Sequence, residues 1–250
     1  MSAPRAAVAR CATAGAACLL VFAGLGLGGG TAVADDNGIA DESAQAIAQA
    51  SRAAMSKVTS MHMVGKVSDT SGTTTLDLRF DEQGDCVGTV TPPGSAGTAD
   101  IVKRGDDVWM KLDDALLRAQ VPGPAAEDAI ALINGRYLHG TTDSAMLSDF
   151  AQVCDLDFFK EEFSSKPPSE QLVKGSRTTV DGQPAITVTS RRDGRTGTYQ
   201  VSTQDEPYLL QVRGTDESGR KVDASFSDFD KPVTPRPPAP ADSVDLSELQ

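Results

Sequence analysis

The sequence is poor in the residues that carry most enzyme chemistry. Two histidines, His62 and His139, are the whole supply, and neither stands at a spacing that metal ligation uses. No Gly-x-Ser-x-Gly elbow occurs, because Gly94-Ser95-Ala96-Gly97 puts its serine out of step in a proline-flanked turn. The phosphate-cradling Gly-x-x-x-x-Gly-Lys-Ser/Thr and the dinucleotide Gly-x-Gly-x-x-Gly patterns are missing from position 35 onward; the glycines of Gly24–Gly30 belong to the N-terminal segment. Aromatic residues number one Trp, three Tyr and eight Phe, too few for a carbohydrate-stacking surface. Basic residues are outnumbered 23 to 35, for a net charge of −12 that becomes −14 without Arg5 and Arg10. That balance excludes nucleic acid and anionic membrane surfaces as electrostatic partners. The carboxylate pairs Asp106/Asp107, Asp113/Asp114 and Asp155/Asp157 do not follow calcium-loop spacing and read as solvated turn acids. The composition therefore predicts no catalytic residue, no metal and no cofactor.

What is present begins with an export signal. Arg5 and Arg10 form a short positive region, Cys11–Leu27 is uncharged and mostly apolar, and Thr31-Ala32-Val33-Ala34 ends in the small-x-small pattern of signal-peptidase sites. Residues 1–34 read as a signal peptide cleaved between Ala34 and Asp35, which predicts a secreted or extracytoplasmic envelope protein. Gly15-Ala16-Ala17-Cys18 lacks the aliphatic residue of a lipidation site, and the most apolar stretch, Leu19–Leu27, follows the cysteine instead of preceding it. Membrane association is expected only if Cys18 is lipidated or the signal is retained. Signal removal leaves Cys86 and Cys154 as the remaining cysteines, and in an oxidising compartment they are predicted to form one disulfide.

The rest divides into one α+β domain over 35–230 and a proline-rich tail over 231–250. Ile39–Val58 has no Gly or Pro and repeats small and apolar residues at helical spacing, with Asp41 and Glu42 in its first turn. The period then changes to two. Met61–Lys66, Thr73–Phe80, Asp85–Val90, Thr98–Arg104 and Asp107–Leu112 read as strands, with Leu76, Leu78 and Phe80 on one face and a tight Gly105-Asp106 turn near the end. Val108, Met110 and Leu112 are expected inward, Trp109 and Lys111 outward. His62, between Met61 and Met63, is expected on a solvated face. Asp113–Ser165 reads as a helical insertion, with patches at Glu127–Ile133, Ser144–Val153 and Leu156–Phe163. Alternation resumes in Gln171–Ser176, Ala185–Ser190, Thr196–Ser202, Pro207–Gly214 and Lys221–Phe226, with turns that include Asp193-Gly194 and Glu217-Ser218-Gly219. Lys231–Ala241 holds five prolines and reads as extended, and Ser243–Leu249 as a short helical turn. The fold class is α+β: a curved antiparallel sheet, a half-barrel, covered by the long N-terminal helix and the helical insertion.

The order of elements resembles the LolA-like and LppX-like envelope proteins, including the LppX, LprA, LprF and LprG carriers. Four stretches bear the likeness: Gly84-Asp85-Cys86-Val87-Gly88, the hairpin from Ile101 to Lys111, Cys154-Asp155-Leu156, and Phe226-Ser227-Asp228-Phe229 followed by Lys231-Pro232-Val233. The resemblance implies an apolar cavity between sheet and helices that holds acyl chains in characterised members. On that implication the inward residues Leu76, Leu78, Phe80, Val108, Met110, Leu112, Ile186, Val188, Tyr199 and Leu210 become candidates for its lining. The expected protein is a monomeric, non-catalytic module with a lipid or other apolar ligand. The alternative is an envelope protein of the same fold without a cavity, which contacts or senses other proteins through its sheet edges or tail.

Overall fold

A computed structural model describes residues 36–144, 146–164, 171–192, 195–215 and 218–249. The signal segment with Cys18 and the Ala34–Asp35 cleavage site, the Asp193-Gly194 turn and Glu217 lie outside the described residues.

The first helix, α1, runs over Ala44–Met55, shorter than the periodicity predicts. Ser43 is the reason: its hydroxyl accepts a hydrogen bond from the Ala46 amide at 3.2 Å and sets the N-terminus there. Ile39–Asp41 forms a separate 3-10 turn, so Asp41 and Glu42 precede α1 instead of occupying its first turn. Strands β1 (Ser60–Asp69), β2 (Gly72–Asp81), β3 (Cys86–Thr91), β4 (Ala99–Arg104) and β5 (Asp107–Leu112) follow as an antiparallel meander. The insertion contributes helices α2 (Asp114–Gln120), α3 (Ala125–Ile133), α4 (Ser148–Gln152) and α5 (Leu156–Ser164). It also contributes a strand that its sequence does not announce, β6 (Tyr137–Thr141), paired antiparallel to β5. A second meander comprises β7 (Gln171–Val180), β8 (Gln183–Arg192), β9 (Arg195–Ser202), β10 (Leu209–Thr215) and β11 (Lys221–Ser227). After the extended proline-rich stretch, Ser243–Asp245 forms β12 where a helical turn is predicted, and Leu246–Leu249 is a 3-10 turn.

These strands form one large open sheet, not closed into a barrel, in the order β12-β6-β5-β4-β3-β2-β1-β11-β10-β9-β8-β7. The two meanders join at β1 and β11, and β12 is parallel to β6. Helices cover it in sections. The Cys86–Cys154 disulfide ties β3 to the turn before α5, and Phe159 and Phe163 of α5 lie 5.1 Å and 5.3 Å from the rings of Phe80 and Phe226. Helix α1 buries Ala44 and Ile47 against Ile186, Val188 and Val201. A β-bulge between Leu209 and Gln211 shifts the phase of β10, so Leu209 joins the main core while Leu210 packs with Val180 and Ala185. Among the described residues no helix is long and apolar enough to cross a membrane.

Candidate binding site

The site is built where α2 and α3 stand over β5 and β6. Asp113 begins it with two bonds: one carboxylate oxygen accepts from the Leu116 amide at 2.7 Å as an N-cap, the other from the Thr98 amide at 2.8 Å. The helix start is thereby pinned to the loop before β4. Gly97 lets it come close, since a Cβ there would lie 2.2 Å from the Leu116 nitrogen. Arg118 and Glu127 join α2 to α3 in a two-pronged pair at 2.8 Å and 3.3 Å. Asn134, in the left-handed region with φ of 49°, ends α3 and turns the chain into β6.

Leu116, Leu117 and Ile133 are buried with Val108, Met110, Leu138 and Leu147, yet the helices do not fill the space beneath them. A pocket of about 450 Å³ remains, lined by Met110, Leu112, Leu116, Leu117, Gln120, Val121, Ala129, Leu132, Ile133, Leu138, Met146 and Leu246. Gln120 is the one polar side chain in that set. At its rim Leu132 and Met146 are 57% and 56% exposed, although both are large and apolar. A smaller depression of about 280 Å³ between α1 and β7 is lined by Gln45, Gln49, Arg52 and Leu172 and is the more polar of the two.

The ten residues proposed from the sequence as lining are spread over several clusters. Met110 and Leu112 line the pocket, and Val108 is buried beside it. Leu76, Leu78 and Phe80 lie in the main core under α5, Ile186 and Val188 pack with α1, Tyr199 borders both clusters, and Leu210 sits in the small cluster beyond the bulge. Sequence reasoning missed the contributions of α2, α3, β6 and the C-terminal turn. Ala126, Ala129, Ile130 and Ile133 do repeat at helical spacing, and Leu116 and Leu117 are neighbours in α2, but such patterns are the same for a packed face and for a pocket wall.

The histidines are held by carboxylates. His62 lies on the face opposite Met61 and Met63, but its side chain is only 14% exposed, less solvated than the alternation suggests. Its Nε2 is 2.7 Å from Asp77, and its Nδ1 is 3.3 Å from the Ser227 hydroxyl and 3.9 Å from Asp228. His62 and Ser227 are direct cross-strand partners in β1 and β11, so this serine–histidine–aspartate array sits on continuous sheet, away from the pocket. His139 lies between Asp107 and Asp245 and stacks on Trp109. Among the described residues no group of three His, Cys, Asp or Glu is placed to hold a metal ion.

No protein-family model matches the sequence and no curated protein is similar to it. Among solved structures, LprF from Mycobacterium bovis superposes with a TM-score of 0.55 at 18% identity, over 78% of this chain and 97% of that one. The lipoprotein LppX from Mycobacterium tuberculosis aligns over 77% of this chain and 98% of its own, at 14% identity and a TM-score of 0.48. A LolA superfamily protein from Nitrosomonas europaea aligns over 78% and 96%, at 10% identity and a TM-score of 0.30. The LprF likeness establishes the fold: an α+β protein folded as LprF is, with an open antiparallel sheet and helices on it.

Proposed function

We propose that this chain is an exported, non-catalytic binding protein of the cell envelope that holds an apolar or lipid-like ligand in the pocket under α2 and α3. The observation that carries the reading is the pocket itself, about 450 Å³ with Gln120 as its one polar side chain. That volume falls within the range of small-molecule sites, roughly 300–1,000 Å³. Hydrocarbon needs no partner beyond apolar wall, and each methylene buried contributes about 0.8 kcal/mol. A ligand with a single polar end would place its chain inside and its head at the rim or against Gln120. The cavity favours this reading over a protein that works only through its sheet edges and tail, which needs no void.

The test uses a substitution that fills the space without touching the core. Ala129 lines the pocket and is half-buried, so Ala129→Trp puts an indole where a chain would lie. Titrated with the fluorescent apolar probe Nile red, the variant is expected to lose at least about tenfold in affinity, or 1.4 kcal/mol, with an unchanged melting temperature. Undiminished binding would place the ligand elsewhere.

A further inference from the structure

The wall of the pocket nearest the sheet edge is made by the C-terminus. β12 joins the sheet through three residues, with Ser243, Val244 and Asp245 beside Tyr137, Leu138 and His139 of β6. Val244 and Leu246 are buried in the cluster that backs the pocket, and Leu246 is part of its lining. Residues 231–239 have no regular structure, so the strap reaches the sheet edge on an extended, proline-rich leader that adds no ladder of its own. A three-residue parallel pairing is weak without further support.

The support is on the other face of β6. His139 stacks on Trp109 with ring centres 4.8 Å apart and planes 13° from parallel. Its Nε2 is 3.2 Å from the Asp107 carboxylate on β5, and its Nδ1 is 3.5 Å from the Asp245 carboxylate on β12. Among the described residues these two carboxylates are the charged groups within 4 Å of the imidazole nitrogens. The neighbouring cation, Lys111, is placed over the Tyr137 ring, 5.8 Å from its centroid. A neutral imidazole has one N–H, so it donates to one carboxylate while its other nitrogen turns a lone pair to the second. A protonated imidazole donates to both. Asp245 is itself held ionised, because the hydroxyl and amide of Ser247, at 2.7 Å and 2.8 Å, and then His139 keep its carboxyl below the usual range.

We propose that His139 is a proton-operated latch that docks the C-terminal strap, Ser243–Leu249, and thereby regulates the pocket whose wall Leu246 completes. The regulation of binding rests on the function proposed above; the latch does not. With His139 protonated, the strap is bound to β5 and β6 through one imidazole and the wall is closed. With His139 neutral, its one N–H stays on Nε2, the nitrogen nearer its carboxylate at 3.2 Å from Asp107 against 3.5 Å from Nδ1 to Asp245. The Nδ1 lone pair then faces the Asp245 carboxylate, the strap loosens and the wall opens.

Hydrogen exchange read by mass spectrometry on the full exported chain, free of ligand, tests this at about pH 5 and pH 8, either side of histidine titration, with intrinsic rates corrected. Protection over 243–249 is expected to fall by about three- to fivefold at the higher pH, the range a partly exposed ion pair supplies. Protection over β2 stays constant and reports that the fold is intact. His139→Gln and Asp245→Asn should each give the low protection at both pH values, while His62→Gln keeps the wild-type response. Equal strap protection at both pH values, or a response that survives in both strap variants, would overturn the latch. Nile red release, followed on the same samples, decides the regulation separately: faster release at pH 8 supports it, and a rate that ignores strap loosening overturns it. Absence of Nile red uptake at either pH removes the binding reading, and with it the regulation, while the exchange data still decide the latch.

Discussion

Asp230 occupies the left-handed region, with φ of 58°, where a residue other than glycine is uncommon. It accepts hydrogen bonds from the Thr59 amide at 2.7 Å, the Thr59 hydroxyl at 3.0 Å and the Tyr208 hydroxyl at 2.7 Å. Tyr208 in turn stacks on Phe229 at 4.2 Å, so one carboxylate joins the start of β1, the start of β10 and the exit from β11. Burial pushes this carboxyl up, but the Thr59 and Tyr208 hydrogen bonds outweigh it and leave it below the usual range. A lowered carboxyl stabilises the fold above the unfolded-chain value, about 3.9, and that contribution is lost as pH falls through the folded value. Asp81, raised chiefly by burial, acts in the opposite sense. Thermal melts of Asp230→Asn from neutral pH down to about pH 2 should therefore begin lower and fall less steeply in acid than wild type. Parallel curves would show that Asp230 is not part of the acid response. At Gly88, with φ of 150°, an added Cβ would lie 2.0 Å from the Asp77 carbonyl oxygen. Gly88→Ala is expected to cost more than about 2 kcal/mol in urea unfolding, and a cost within error would mean that β3 shifts freely past β2.

At the scale of elements, the disulfide does the most for the least sequence. Cys86 and Cys154 close a separation of 68 residues, for which chain entropy gives about 4 kcal/mol. The Cys86→Ser/Cys154→Ser double variant should lose stability of that order, with α4 and α5 the first to exchange, since their tie to β3 is gone. Loss of less than about 1 kcal/mol would show that the Phe159 and Phe163 contacts hold the insertion unaided. Asp113→Ala, which removes the cap of α2 and its bond to Thr98, is expected to cost about 1 kcal/mol and to weaken Nile red binding; unaltered binding would detach the pocket from the α2 position. The strands with one clean apolar face were legible in the sequence: Leu76, Leu78 and Phe80 alternate and are buried. β6 was not, because in Tyr-Leu-His-Gly-Thr only Leu138 is buried and the pairing comes from distant β5 and β12. Three-residue β12 has no periodicity to read. The same limit holds for the site. Alternation finds Met110 and Leu112, but whether Leu116, Leu117 and Ile133 line a void or a core depends on how far α2 and α3 stand off the sheet.

For the molecule as a whole, the proposed function relies on apolar volume, because acid excess and scarce aromatics offer little else for recognition. The chain has 35 acidic residues against 23 basic ones, so an anionic headgroup meets a net repulsion that salt screens; on the proposed function, uptake of an anionic ligand is expected to strengthen with ionic strength and that of an uncharged one to change little. The central claim is that the pocket under α2 and α3 is occupied in the exported protein. Native mass spectrometry of that protein, purified from its own host without detergent and followed by denaturing mass measurement and organic extraction, tests it most directly. The account predicts a stoichiometric apolar adduct that disappears on denaturation and is absent from the Ala129→Trp variant. A bare chain in the native spectrum, with nothing recovered in the extract, would contradict it.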